Sequence, residues 1–347
     1  MRFALTLLIV PILTHPACGQ WVFQPSGTAA RLRGVSAVDG RIAWASGTGG
    51  TILRTVDGGK SWDRRTVAGA NDLDFRDIEA FGDRTAYALS IGEGTLSRIY
   101  KTVDGGATWV LKHQNSDRKG FLDALAFWDA DHGIALGDPV GERFVILATD
   151  DGGKTWNRIE PAGMPPALPG EGAFAASGTC LVVRGDRSAW FGTGGGRVFR
   201  SDDRGRTWTV HTTPIRPENS SSGIFSLAFW DADHGVAVGG DYKEPDRNAT
   251  VCALSSDGGR TWRLPRENQP SGYRSAVIRV PGSKGPTLIA VGPTGTDRSD
   301  DGGESWAKLS GEGFHAMAMA QPASGWAVGD QGRIARFDFR SRIGSVP

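Results

Sequence analysis

The chain has 347 residues, 39% hydrophobic and 22% charged, a balance that excludes wholesale disorder. Gly numbers 50, about 14% and roughly twice the usual share of about 7%, alongside 12 Trp, which points to many short strands joined by tight turns. Lys+Arg at 39 against Asp+Glu at 38 lacks the basic excess expected of a nucleic-acid binder.

The first 19 residues read as a signal peptide. Met1-Arg2 supplies a positive start, residues 3–13 an apolar run, and Ala17-Cys18-Gly19 a small-residue cleavage box before Gln20. The run is too short to span a bilayer, so no transmembrane segment is expected in the mature chain. His15 stands where a lipoprotein signal would have Leu, which argues against a lipid on Cys18. The expectation is an exported protein, periplasmic or extracellular and monomeric, with residues 20–347 forming one domain. Its two remaining cysteines, Cys180 and Cys252, lie in separate apolar runs and read as buried thiols.

One motif then recurs: Ser/Thr-x-Asp-x-Gly-x-Ser/Thr-Trp. Its aspartates are Asp57, Asp104, Asp151, Asp203, Asp257 and Asp301, and it ends on Trp62, Trp109, Trp156, Trp208, Trp262 and Trp306. A period of about 45–50 residues predicts a propeller, all-β, with four strands (A to D) per blade. The Gly positions permit a tight turn, the Asp accepts bonds from turn N–H groups, and the Trp carries apolar area between sheets. Such recurrence makes these aspartates structural rather than catalytic. A seventh unit follows at 314–339 without an Asp turn. The segment Gln20-Trp21-Val22-Phe23 reads as its missing D strand, so the N-terminus is predicted to close a seven-bladed ring. Trp44, Trp190 and Trp326, with Tyr87, fill a B-strand slot, and Trp128 and Trp230 share a Phe-Trp-Asp slot. No Trp is left over as a sugar platform.

The arrangement resembles the Asp-box (BNR) propellers, and among them the photosystem II stability/assembly factor-like family. The residues that carry this are Thr-Val-Asp-Gly-Gly-Lys-Ser-Trp (55–62) with its five relatives, Phe-Trp-Asp-Ala-Asp-His-Gly (127–133 and 229–235) and Gly137-Asp138-Pro139. The resemblance covers residues 20–347. It implies a seven-bladed propeller in a periplasmic or lumenal space, acting as an assembly or interaction scaffold. Sialidases share the Asp box, but their N-terminal Phe-Arg-Ile-Pro signature is absent; Leu32-Arg33-Gly34-Val35 is the nearest match.

A ligand is expected on the face opposite the Asp boxes. Aligning the A-strand starts gives Arg33, Arg76, Leu122, Ala175, Phe225, Arg274 and His315 at one position in blades one to seven. Ring closure would then bring Arg33, Arg76, Arg274 and His315 to one side of the channel mouth, with Asp138, Asp241 and Asp330 in B-to-C positions. One reading is a carboxylate-binding patch, since guanidinium makes bidentate charge-assisted bonds; the other is an internal ring of ion pairs. Tyr242 with Glu244, and Tyr273, are a weaker candidate for a nucleophile pair. His132 and His234 read as turn residues, and neither a metal site nor a cofactor is expected. The long connections at 160–172, 211–223 and 239–249 are candidate partner-binding loops. The leading functional reading is an exported non-catalytic scaffold that binds a protein segment, or a small anionic or glycan ligand, at the channel mouth. The alternative is an Asp-box glycan hydrolase of sialidase type, or a lyase.

Overall fold

In the computed structural model, which describes residues 20–160, 163–247, 250–320 and 324–338, seven antiparallel sheets form a ring. The proposed leader with Cys18, and Pro161 of the long loop, lie outside the described residues. Blade one runs Leu32–Ala37, Ala43–Gly47, Thr51–Thr55 and Asp63–Arg64. Blades two, three, four and six repeat this order, starting at Asp74, Leu122, Leu181 and Ala276. Blade five starts at Ser222; its sheet has three strands, and the fourth is reduced to a single bridge between Leu254 and Arg263.

The ring closes as the repeat arithmetic predicts. Gln20–Gln24 pairs antiparallel with Asp338–Ile334, the C strand of blade seven. Trp21 is buried and packs against Phe314 and Phe337, with ring centroids 4.5 and 4.8 Å away. Gln24 adds a polar latch. Its Oε1 accepts from the indoles of Trp62 (3.1 Å) and Trp326 (3.0 Å), and its Nε2 donates to the Gly58 carbonyl (3.0 Å). One side chain thus satisfies an Asp-box turn of blade one and the B-strand Trp of blade seven.

Each Asp box is a local hydrogen-bonded clamp. In the first, Asp57 accepts from Ser61 N (3.0 Å), Ser61 Oγ (2.7 Å) and Thr55 Oγ1 (2.9 Å), while Thr55 Oγ1 accepts from Gly59 N (2.9 Å). Gly58 and Gly59 sit at φ of +79° and +83°, a region that penalises any side chain. The bonds from Ser61 hold the Asp57 carboxyl down at about 2, so its charge is spent on the turn. Trp44, Tyr87, Trp190 and Trp326 fill the same B-strand slot, each almost wholly buried. Cys180 and Cys252 are separate buried thiols.

Candidate functional site

In every blade the start of strand A lies opposite the end of strand B, and the start of B lies opposite the end of C, where in blades one to six the Asp box begins. In blade one these pairs are Leu32 with Gly47, and Ala43 with Thr55. The A-strand starts and the Asp boxes therefore occupy opposite faces. On the A-start face the ring holds a central cavity of about 570 Å³.

A recurring β-bulge aims side chains into it. The strand register skips one residue at Arg33, Arg76, Asp123 and Phe225, and all four line the cavity. Bulges re-aim a side chain in this way. The equivalent residue in blade seven is His315, whose N–H donates to Val328 O; in blade six it is Ser275, whose N–H donates to Val291 O in the same pattern.

Two sequence alignments are corrected. Blade three presents Asp123 at this position rather than Leu122. Blade six presents Ser275 rather than Arg274, because Gly292 faces Tyr273 O and the Arg274 Cα as Gly47 faces Arg31 O and the Leu32 Cα. Arg274 therefore occupies the inward slot of Leu32. It is fully buried, its Nε donating to Asp297 Oδ2 at 2.6 Å, and it does not line the cavity. Its inclusion in the channel patch is withdrawn.

Blade four departs further. Its A strand begins at Leu181, and the preceding segment, read from sequence as its start at Ala175, bridges the channel. Ala173 N–H donates to Asp138 Oδ1 of blade three (2.8 Å), and Ala175 O accepts from Arg76 Nη1 of blade two (3.0 Å). Phe174 stacks on Phe225 of blade five at 3.8 Å, and Ser177 Oγ donates to Ser275 O of blade six (2.8 Å). A segment that touches four blades acts as a plug, and it forms part of the cavity wall.

The charges sort themselves by partner. Arg31 Nε and His315 Nε2 each lie 3.0 Å from Asp330, the histidine in an orientation that makes no hydrogen bond. Burial, with Arg33 nearby, lowers the His315 pKa to about 4, so it is neutral at pH 7. Arg76 pairs with Asp74 at 2.7 Å. Burial raises Asp138 to about 6 and Asp123 well above the carboxylate range; both Asp123 oxygens are enclosed without a hydrogen-bond partner. Among the described residues Arg33 makes no ion pair within about 4 Å, and its Nε is buried without a hydrogen-bond partner. Desolvation, then repulsion from Arg76, lowers it to about 10, which leaves it a cation at neutral pH. The cavity is thus positive on the side of blades one and two, and aromatic on the other through Phe174, Phe225, Tyr242 and Tyr273. Of the two sequence readings, ion pairing accounts for Arg76 and Arg274, His315 is neutral, and Arg33 makes no close ion pair among the described residues, with Asp330 attracting it only from beyond about 4 Å.

The other candidates have local roles. Glu244 faces Arg247 at 3.6 Å, and Tyr273 is buried. His132 and His234 bond the turn carboxylates Asp129 and Asp231. Asp241 accepts from Ser221 and Asn219 in the 211–223 connection.

Asp77, next to the bulge, staples two blades: its carboxylate accepts from Ile78 N and from Leu125 N of blade three, both at 2.8 Å. Burial pushes it up to about 7, against about 3.9 unfolded. Between these values the folded state holds the extra proton, so this group favours folding at the acid end and loses that contribution as pH rises through 7. Asp77→Asn is expected to flatten the urea midpoint between pH 5 and 8; a profile parallel to wild type would show that Asp77 does not titrate there.

Comparison with known proteins gives a consistent picture. The family model for the photosynthesis system II assembly factor YCF48 matches residues 77–213. The photosystem II assembly protein Ycf48 of Thermosynechococcus vestitus is 25% identical over 291 residues, covering 74% of this chain and 78% of its own length. Among solved structures, YCF48 bound to a D1 peptide superposes with a TM-score of 0.65 at 17% identity, over 95% of this chain and 99% of the other. YCF48 from Cyanidioschyzon merolae gives 0.63 at 18%, over 91% and 98%.

Proposed function

We propose, from the premise that this chain is an Asp-box propeller resembling the photosystem II assembly-factor family, that it is an exported, non-catalytic scaffold whose channel mouth binds a protein segment through a carboxylate. The observation that carries this is Arg33, a largely desolvated guanidinium at the wall of an open cavity with no close ion pair among the described residues and a buried Nε without a hydrogen-bond partner. A carboxylate there supplies a close counter-charge and bidentate acceptors, and the aromatic wall suits apolar side chains of the same segment. The relative solved with a D1 peptide supports a peptide as the ligand class.

Titration of a fluorescent D1 peptide against the protein tests this. Hydrogen bonds to charged groups contribute about 1.5–3 kcal/mol, so Arg33→Gln is expected to weaken binding about ten- to hundredfold. Equal affinity for wild type and variant would overturn the role of Arg33. The glycan-hydrolase reading would draw on Asp123 and Asp138 as acids. Against it, both Asp123 oxygens are enclosed, and Asp138 Oδ1 is engaged by the plug at Ala173.

A further inference from the structure

The ring carries an internal comparison on its other face. Phe-Trp-Asp-Ala-Asp-His-Gly occurs twice, in blades three and five, and its two tryptophans meet different neighbours. Trp128 Nε1 donates to Ser188 O in the short turn of blade four (2.9 Å), over a pocket of about 150 Å³. Among the described residues Trp230 Nε1 has no hydrogen-bond partner and is not enclosed, because blade six replaces that turn with the longer 280–287, braced by Val280 N–H to Thr287 O and by Ser283 Oγ. The result is a pocket of about 400 Å³ between blades five and six, within the usual size range of ligand sites.

The chemistry of its wall also departs from the repeat. Arg279 pairs with Leu288 as Phe127 and Phe229 pair with Gly133 and Gly235, so a guanidinium stands in a phenylalanine slot. Among the described residues its Nε is buried without a hydrogen-bond partner, and neither Arg279 nor Lys284 enters an ion pair. The three acids of the lining are engaged: Asp231 by His234, Glu304 by Arg263, and Asp301 by Ser299 and Ser305 of its Asp box. Three uncommitted donors, on Trp230, Arg279 and Lys284, therefore meet beside the apolar surfaces of Leu254 and Pro286.

We propose that this inter-blade pocket is a second ligand site, for an acidic saccharide, with its carboxylate at Arg279 and a hydroxyl at Trp230 Nε1. A sugar acid combines an anion that needs the free guanidinium, hydroxyls that use an indole donor and rim acceptors, and a C–H face that suits apolar walls. The site is independent of the channel mouth, since it lies on the Asp-box face.

Calorimetric titration of the whole protein with trigalacturonate tests it, with galactotriose and a hexaglutamate peptide as comparisons. Wild type is expected to bind trigalacturonate at least tenfold more tightly than either comparison. Arg279→Gln should weaken it at least tenfold, Arg279→Lys less, and Trp230→Phe severalfold. Arg33→Gln should leave it unchanged, which separates this site from the mouth. Failure of trigalacturonate to bind, equal binding by Arg279→Gln, or equal binding of galactotriose or the peptide would each overturn the proposal.

Discussion

Replacing Trp21 with Ala is expected to lower the unfolding free energy by about 3–5 kcal/mol, the usual cost of truncating a buried large aromatic side chain. Trp21 is 7% exposed although it lies within a few residues of the predicted cleavage point. Its ring fills the space between Phe314 and Phe337, so the alanine variant opens a cavity at the seam between first and last strands. The seam also holds Gln24, whose two indole donors and one carbonyl contact depend on the strand staying in register. Val22, 43% exposed on the same strand, is the control; its alanine variant should change stability by less than about 0.5 kcal/mol. Urea denaturation of both checks this. A Trp21 effect as small as that of Val22 would mean that the strand does not hold the ring closed.

Arg274→Ala is expected to cost a similar amount, about 3–5 kcal/mol, because removing one partner strands the other charge in a dry site. Arg274 is 0% and Asp297 1% exposed. Beyond the Asp297 bond, Arg274 donates to Tyr273 O at 2.8 Å, and Asp297 accepts from Ser271 Oγ at 2.6 Å and Ser271 N at 3.1 Å. The double variant Arg274→Met with Asp297→Leu should recover part of the loss, since an apolar pair leaves no uncompensated charge. Thermal and urea unfolding of the single and double variants check it. Because Arg274 lies outside the cavity, the double variant should bind the D1 peptide as wild type does. Weaker binding by a stable double variant would return Arg274 to the ligand site.

The blades were legible because each repeat states its own turn chemistry: six Asp boxes and the B-strand Trp slot fix strand order, and Trp21 announces the closure. The mouth was less legible, for a local reason. A β-bulge shifts one residue without changing the apolar pattern, so aligning the A-strand starts by repeat placed Arg274, a core cation, in the channel beside Arg33. The same offset hid Asp123, which sits within an apolar run. The plug was missed because Ala173-Phe174-Ala175-Ala176 has the composition of a strand, and only contacts with four different blades reveal that it crosses the channel. The pocket beside Trp230 escaped because a repeat slot accounts for the residue type but not for what the next blade sets against it.

The most direct test of the peptide-binding account is the nitrogen-15 spectrum of the arginine Nε–H groups, recorded as a D1 peptide is added in its free-acid and its methyl-esterified form. The Arg33 Nε–H, without a partner in the unliganded protein, is predicted to shift with the free acid and not with the ester, while Arg274 stays in place. Saturable binding of the free acid with the Arg33 resonance unmoved would contradict the account.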